Sequence, residues 1–385
     1  MIRVRRRLPI VAAIAGLGTL AVAGVAWALV GAHPAPTYQT NGRVNVIVVS
    51  GSRVYIGGQF TSVRPAGDAK GTGEVARNHV AAFNINTGAL LAWNPNVNGT
   101  VRAIALNGPM VYLGGSFSKV GTTTRHDLAA VNTSSGAIQA GFNASANGQV
   151  LSLLYQNGTV FAGGAFTTVN GAGHTYLAGL NATTGASNSW SPSADDTVKA
   201  MTLTADGSRI IVGGLFTHVN GSSQNHLTAL SPTSGSLVTW RTHTAYSVID
   251  LAADANGVYV AGAGAGGNFE AMNPSTGGKL WSSGTNGNVQ AIGVVGGIVY
   301  VGGHFQYYCG GQNSGSHTCP TPIAQDKLLA VNEHTGALQT WAPGANSVLG
   351  VFALTGDNTS GALFSGGDFT STGQRAQQGF AEFTP

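Results

Sequence analysis

The fold is decided by a stretch of seven residues, VYIGGQF at 54–60, which the chain repeats. It returns as VYLGGSF at 111–117, VFAGGAF at 160–166, IIVGGLF at 210–216 and VYVGGHF at 299–305. Each copy has β-branched or aromatic residues, as buried strands do. The two glycines that follow let a neighbouring backbone approach closely, or permit a bulge. A short strand that recurs along a chain indicates one repeated supersecondary unit.

The glycine doublets of these strands mark the units. They begin at Gly57, Gly114, Gly163, Gly213, Gly302 and Gly366. A degraded copy, VYVAGAG from residue 258, has Ala261 in place of the first glycine. Seven units result, about 41 to 64 residues apart. Periods near 40 to 50 residues with four strands each are typical of the blades of a β-propeller.

The unit that begins at Val101 divides into four strand-like runs, named here strands A to D. VRAIAL is strand A, and an Asn-Gly turn leads to strand B, MVYLGGSF. A polar loop precedes strand C, DLAAVN, and the turn TSSG precedes strand D, AIQAGF. The chain ends after a strand C, so we expect residues near Pro36 to Gln39 to supply the missing outer strand. The prediction is all-β: a single seven-bladed β-propeller with four-stranded blades, its last blade completed by the N-terminal segment.

A second signature links strands C and D. An Asn or Ser precedes a Thr-Gly or Ser-Gly turn, which calls for a left-handed glycine, and a tryptophan follows. This tryptophan recurs as Trp93, Trp190, Trp240, Trp281 and Trp341. Its repetition favours packing between blades over the alternative, stacking on a sugar.

Both signatures resemble known propeller repeats. The Gly-Gly strand resembles kelch repeats. The Asn-x-x-Thr-Gly stretch that leads to a tryptophan is similar to the docking motif of quinoprotein-type propellers. Together they look most like the secreted bacterial propellers built from delta-60 repeats, over residues 36–385. The resemblance implies the fold, and it implies no chemistry because that family shares none.

The net charge of +4 comes from the N-terminus. Four arginines lie in the first seven residues, and without them 14 basic residues balance the 14 acidic ones. A near-neutral body does not favour nucleic acid or an anionic membrane as a partner.

An export segment is predicted over residues 1–32. The arginines precede an uncharged run, 8–32, that ends in the small residues VGA, so the segment reads as a signal peptide cleaved after Ala32. The run is also long enough to cross a bilayer of ~30 Å, so an uncleaved signal anchor is the alternative interpretation. Either way we expect residues 33–385 to be secreted or outward-facing at the cell surface.

The chain has two cysteines, Cys309 and Cys319. In an oxidising compartment they are expected to form a disulfide that closes a loop poor in apolar residues. A metal site with His304 and His317 is the alternative, but it needs more ligands. We therefore predict neither a metal nor a cofactor.

Candidate ligand-binding residues lie on the face formed by the B–C and D–A loops, where length and composition vary most and where a rigid scaffold carries function. A polar ring at a channel mouth suits a sugar or an acidic group. The alternative is that these residues close loops by repeated hydrogen bonds. The sixth B–C loop, beside the cysteines, is the least repetitive and is a candidate partner contact. The candidates are His79, Arg125, His126, His174, His226, His304, Tyr307, Tyr308, His317 and Arg375.

Motifs for catalysis are absent from the sequence. It contains neither H-E-x-x-H nor G-x-S-x-G. We therefore expect a non-catalytic, monomeric binding or scaffold module at the cell envelope, with a glycan or protein ligand and no nucleic acid. The alternative is a polysaccharide hydrolase or lyase with its site at the central channel, which requires two acids facing each other about 5 to 9.5 Å apart.

Overall fold

The computed structural model describes residues 29–240, 244–264, 266–311 and 319–385. Their antiparallel strands form seven main sheets, numbered here in chain order. The strands of these sheets are Val44–Ser50, Arg53–Gly58 and Val80–Asn84 in sheet 1; Thr100–Asn107, Met110–Ser116 and Leu128–Asn132 in sheet 2; Val150–Gln156, Thr159–Gly164 and Leu177–Asn181 in sheet 3; Val198–Leu203, Ile210–Gly214 and Leu227–Leu230 in sheet 4; Ser247–Ala253, Val258–Gly264, Gly266–Met272 and Lys279–Thr285 in sheet 5; Val289–Val295, Ile298–Gly303 and Leu328–Asn332 in sheet 6; and Val351–Asp357, Ala362–Gly367 and Phe380–Phe383 in sheet 7.

The remaining strands are short, and all but the first lie in the B–C loops. Gln39–Thr40 precedes strand A of sheet 1, and the others are Ser62–Arg64 and Val75–Ala76; Lys119–Val120 and Thr123–Thr124; Thr168–Val169 and Ala172–Gly173; His218–Val219 and Ser222–Ser223; Tyr307–Gly310 and Ile323–Ala324; and Ser371–Thr372 and Arg375–Ala376. In the part of the chain that the structure describes, no helix has the length and hydropathy needed to cross a membrane. The predicted export segment, 1–32, lies outside the described residues except for 29–32.

The seven strands A stand next to one another in a ring. Each contacts strand A of the sheets before and after it, and strand A of sheet 7 contacts that of sheet 1. All seven line one central cavity, named here the channel cavity. Strands B and C follow outward from the ring in every sheet.

The first glycine of each doublet faces strand A of the next sheet. A Cβ atom built on Gly114 would lie 2.6 Å from Cγ1 of Val150, and one on Gly366 would lie 2.7 Å from Cγ1 of Val44. These distances are well below van der Waals contact, so the absence of a side chain is what lets the strands crowd together. Sheet 5 differs, because Ala261 occupies this position with its methyl group buried.

Strand D is regular only in sheet 5 within the described chain. In sheets 1, 2, 3, 4 and 6 it is reduced to an isolated bridge to strand C, such as Phe83 to Leu90. Further backbone hydrogen bonds hold the run in place, as from the Leu91 amide to the Ala82 carbonyl at 2.9 Å. The outermost run is thus hydrogen-bonded but less regular than predicted.

The outer edge of sheet 7 is covered by the N-terminal segment. The Gly31 amide donates to the Thr384 carbonyl at 2.7 Å, and the Ala35 amide donates to the Glu382 carbonyl at 2.8 Å. These residues lie just before the predicted stretch, 36–39. The end of that stretch instead pairs with the first B–C loop, where Gln39 lies opposite Arg64.

The tryptophans bridge consecutive sheets. Each indole Nε1 donates to a backbone carbonyl of the next sheet or of the segment that covers it. The acceptors are Asn132 for Trp93, Ser231 for Trp190, Pro274 for Trp240, Glu333 for Trp281 and Gly31 for Trp341. All five side chains are buried, so they pack between sheets as the repetition indicated.

Candidate functional site

Several of the candidate residues close the B–C loops through their backbone. His79 and His226 have φ of 65° and 66°, and the residues at the same point of other units, Asp127, Tyr176 and Lys327, have φ of 63° to 67°. The His79 amide donates to the Phe60 carbonyl at 2.8 Å, and its carbonyl accepts from the Gly58 amide at 2.9 Å. The same pair of bonds recurs in these other units. At the backbone, these positions serve loop closure.

Other candidates are dispersed over the same face. His126 is exposed, and Arg125 donates to the Thr124 carbonyl at 2.9 Å. His174 is buried, 3.3 Å from the Ser191 hydroxyl, and burial lowers its pKa. Arg375 donates to the Pro34 carbonyl at 3.0 Å and so holds the N-terminal segment. The structure does not bring these four side chains into one site.

A second repeated hydrogen-bond pattern joins the D–A loops to the B–C loops. The side-chain oxygen of one residue accepts two successive backbone amides of the loop beside it. This residue is Asn41, Asn98, Asn147, Asn286 or Asn346, with Asp195 in sheet 4. Partial burial acts to raise the pKa of Asp195, but hydrogen bonds from His218 and Thr217 outweigh it and hold that pKa well below its usual range. The sequence analysis did not predict this hydrogen-bond pattern, although an Asn recurs before strand A in most units.

The sixth B–C loop joins sheet 5 to sheet 6. Tyr308 pairs with Thr285, the last residue of strand D in sheet 5. Its ring is half-buried, with its centroid 6.4 Å from that of Phe269, whereas Tyr307 is 40% exposed. A disulfide joins Cys309 and Cys319, as predicted. The remaining candidate, His317, lies outside the described residues.

One cavity lies at the loop face between sheets 5, 6 and 7 and has a volume of about 650 Å³. We call it the mouth cavity. Of the candidates it contains His304, whose side chain is exposed. Its lining residues are Gly264, Asn286, Gly287, Asn288, His304, Gln306, Lys327, Ser347 and Val348. This set contains three amide side chains, one imidazole and one cation, Lys327, and no carboxylate, so it suits a neutral polar or an anionic ligand.

The channel cavity is the second site, with a volume of about 580 Å³. Strand A has a register irregularity after its first valine in every sheet, and the extra residue of each lines the cavity. These seven channel-ring residues are Asn45, Arg102, Leu151, Lys199, Ile249, Gln290 and Phe352. None was a sequence candidate. For four of the seven, the signal was a polar or charged residue directly after the first valine of a buried strand.

Asp250 is the carboxyl group of the channel lining. Its two oxygens accept the amides of Leu251 at 2.9 Å and of Ile292, in the next sheet, at 3.0 Å. Enclosure by the channel walls raises its pKa to about 7, and the two hydrogen bonds oppose that shift. No second carboxylate lines either cavity in the described chain, and a glycosidase needs a pair.

The described residues contain no group of three or more His, Cys, Asp or Glu side chains placed to hold a metal ion. The two cysteines, which the metal alternative requires as ligands, are joined to each other.

The chain is similar in sequence to one protein family over part of its length. A family model described as the Rax2 C-terminal beta propeller domain matches residues 80–236, less than half of the chain. No curated protein sequence matches.

Solved structures match over nearly the whole chain. The computationally designed Ika8 protein is 14% identical with a TM-score of 0.56, and the match covers 92% of this chain and 100% of that one. The WD40 β-propeller domain of Doa1 is 12% identical with a TM-score of 0.54, covering 91% and 96%. The β-propeller domain of Cps50 (Swd1) from Myceliophteria thermophila is 8% identical with a TM-score of 0.58, covering 91% and 99%. At these identities the likeness concerns the fold alone, and it shows that the chain is a β-propeller.

Proposed function

We propose that residues 33–385 form a single seven-bladed β-propeller in which each main sheet is one blade. The outermost run of each blade is strand D, and the N-terminal segment takes that place in the last blade. The ring of strands A and the bond of the Ala35 amide to the Glu382 carbonyl of the last strand support this arrangement. The kelch-like strand and the docking tryptophan support a propeller of the secreted delta-60 type.

The proposed function is that of a non-catalytic, monomeric binding module, exported to the cell envelope, with a glycan ligand in the mouth cavity. The observation that carries this proposal is the lining of that cavity. His304 and Gln306 are exposed and stand with Asn288 and Lys327 around one concave site. Amide, imidazole and ammonium groups are donors and acceptors that match sugar hydroxyls. The basic, apolar N-terminus and the disulfide support export.

A glycan-array screen of the full chain tests this function, followed by titration with the best-bound glycan. His304→Ala and Gln306→Ala remove donors and acceptors from the cavity, so each is expected to weaken binding about tenfold. His126→Ala is the matched control, because His126 is an exposed histidine of the same face that does not line the cavity.

Two results would count against this function. If the array shows no bound glycan, the glycan ligand is rejected, and the search moves to protein partners of the envelope. If a glycan binds but His304→Ala and Gln306→Ala match the His126→Ala control, the ligand site lies outside the mouth cavity.

A further inference from the structure

Positive charge is concentrated inside the channel cavity. Two of the seven channel-ring residues, Arg102 and Lys199, are cationic, and both are half-buried. A third cation, Arg43, precedes strand A of sheet 1, and its guanidinium carbon lies 4.1 Å from the centroid of the Phe352 ring, also of the channel ring. These three residues, the channel cations, come from sheets 1, 2 and 4.

Arg102 and Lys199 line the same cavity, and the charge of Arg102 interacts with those of both other channel cations. Burial lowers the pKa of Arg102, and the nearby Arg43 lowers it further. Burial also lowers the pKa of Lys199, Arg102 adds to the decrease, and Asp196 opposes it. Like charges brought together in a partly dehydrated space raise the free energy of the folded protein unless an anion compensates them.

The protein itself supplies little compensation to these cations. Within the described residues, no ion pair or side-chain hydrogen bond involves Arg43, Arg102 or Lys199. The Nε atoms of Arg43 and Arg102 are buried without a hydrogen-bond partner. Other arginines with a buried Nε behave differently, since Arg77 and Arg209 donate through their terminal nitrogens to Leu91 and Ser208.

The acids near the channel do not neutralise it. Asp250, the carboxyl group of the lining, is already bound by two backbone amides. Asp196 accepts the amide of Thr197 and makes no ion pair within 4.0 Å among the described residues. Asn45 and Gln290 add amide groups to the same ring without adding charge.

We propose that the channel cavity is an anion-binding site, with Arg102 and Lys199 as donors to a carboxylate or phosphate group and Arg43 as a supporting charge. A guanidinium offers five N–H donors and an ammonium three, and bonds of this charge-assisted kind are the strongest that side chains make. The volume of about 580 Å³ accommodates a small anion or the charged end of a larger ligand. This site is separate from the mouth cavity and does not depend on the proposed function.

Isothermal titration of the full chain tests this site, with inorganic phosphate and, separately, glucuronate as probes. We expect saturable binding of one anion per chain to at least one probe, weakened by added NaCl. The double variant Arg102→Met, Lys199→Met keeps apolar stems in the channel and should lose about tenfold or more in affinity. Lys119→Met is the matched control, because Lys119 is an exposed lysine of the second B–C loop outside the cavity. Preference for phosphate points to a phosphorylated ligand, and preference for glucuronate points to an acidic sugar.

Thermal unfolding supplies a second readout. Without an added anion the double variant should have a higher Tm than the unmodified chain, because repulsion between cations is relieved. The bound probe should raise the Tm of the unmodified chain only. The site is refuted if neither probe binds saturably to the unmodified chain, or if Lys119→Met weakens binding as much as the double variant. His304→Ala and Gln306→Ala should leave probe binding unchanged, which separates this test from that of the mouth cavity.

Discussion

At the residue scale, one carboxyl group ties stability to pH. Asp250 has a pKa of about 7 in the folded protein because it is enclosed by the channel walls, against about 3.9 in an unfolded chain. Between these values the folded state holds a proton that the unfolded state has released. The stability that this group contributes is therefore fully present below about pH 4 and is lost as the pH rises towards 7.

Asp250→Asn should remove this contribution, since the amide stays neutral at every pH and its oxygen still accepts a backbone amide. From pH 4.5 to pH 7.5, the free energy of unfolding of the unmodified protein should fall relative to the variant by about 3 kcal/mol. Urea unfolding of both proteins at both pH values measures it. Glu382, whose pKa burial raises to about 6, is present in both proteins and cancels. If the free energy of unfolding changed equally with pH in both proteins, Asp250 would not titrate in this range.

At the scale of the element, the glycine doublet of strand B sets the distance between sheets. Its first glycine faces a valine of the next sheet, and its second faces the strand beside it, since a Cβ on Gly115 would collide with the Thr100 carbonyl. Sheet 5 replaces the first glycine by Ala261, so the chain contains both versions of the same contact.

Gly114→Ala places a methyl group about 2.6 Å from Cγ1 of Val150. We expect a loss of about 2–3 kcal/mol in the free energy of unfolding, because overpacking forces strand B of sheet 2 away from strand A of sheet 3. The reverse change, Ala261→Gly, creates no clash and should cost about 1 kcal/mol, mainly in backbone entropy. Urea unfolding of the two variants compares them. A cost for Gly114→Ala no larger than for Ala261→Gly would mean that close approach is not what the doublet provides.

At the scale of the whole molecule, the two ends of the chain hold the ring together. Val30 is buried, and its amide donates to the Tyr300 hydroxyl at 3.1 Å. Gly31 links the last strand to the indole of Trp341. Residues more than 300 positions apart thus share one sheet edge. Loss of the hydrogen bonds along this edge is expected to open the ring.

A chain that begins at His33 should be less stable than one that begins at Leu29 by about 2–3 kcal/mol. It loses the burial of one valine and the hydrogen bonds of Val30 and Gly31. Thermal unfolding of the two chains measures the difference, and Val30→Ala in the longer chain isolates the side-chain share. Equal Tm values would show that residues 29–32 add nothing to the closure of the ring.

The sequence by itself determined the repeat, the strands B and C of each unit, the bridging tryptophans and the disulfide. Each of these features follows from residues close together in the sequence, such as a glycine doublet after apolar residues or a tryptophan after a Thr-Gly turn. Such local patterns predict the structure because each unit buries its strands in the same way.

Only the tertiary structure decided which polar residues meet. The bulge of strand A brings Arg102 and Lys199 into one channel, although 96 positions separate them. The loops of three sheets surround the mouth cavity, and Gly31 and Ala35, just before 36–39, form the backbone hydrogen bonds to Thr384 and Glu382. Candidates such as His126 and Arg375 lie on the predicted face but outside both cavities. Contacts of this kind depend on a one-residue register and on how sheets far apart in the chain close into a ring, and no local pattern records either.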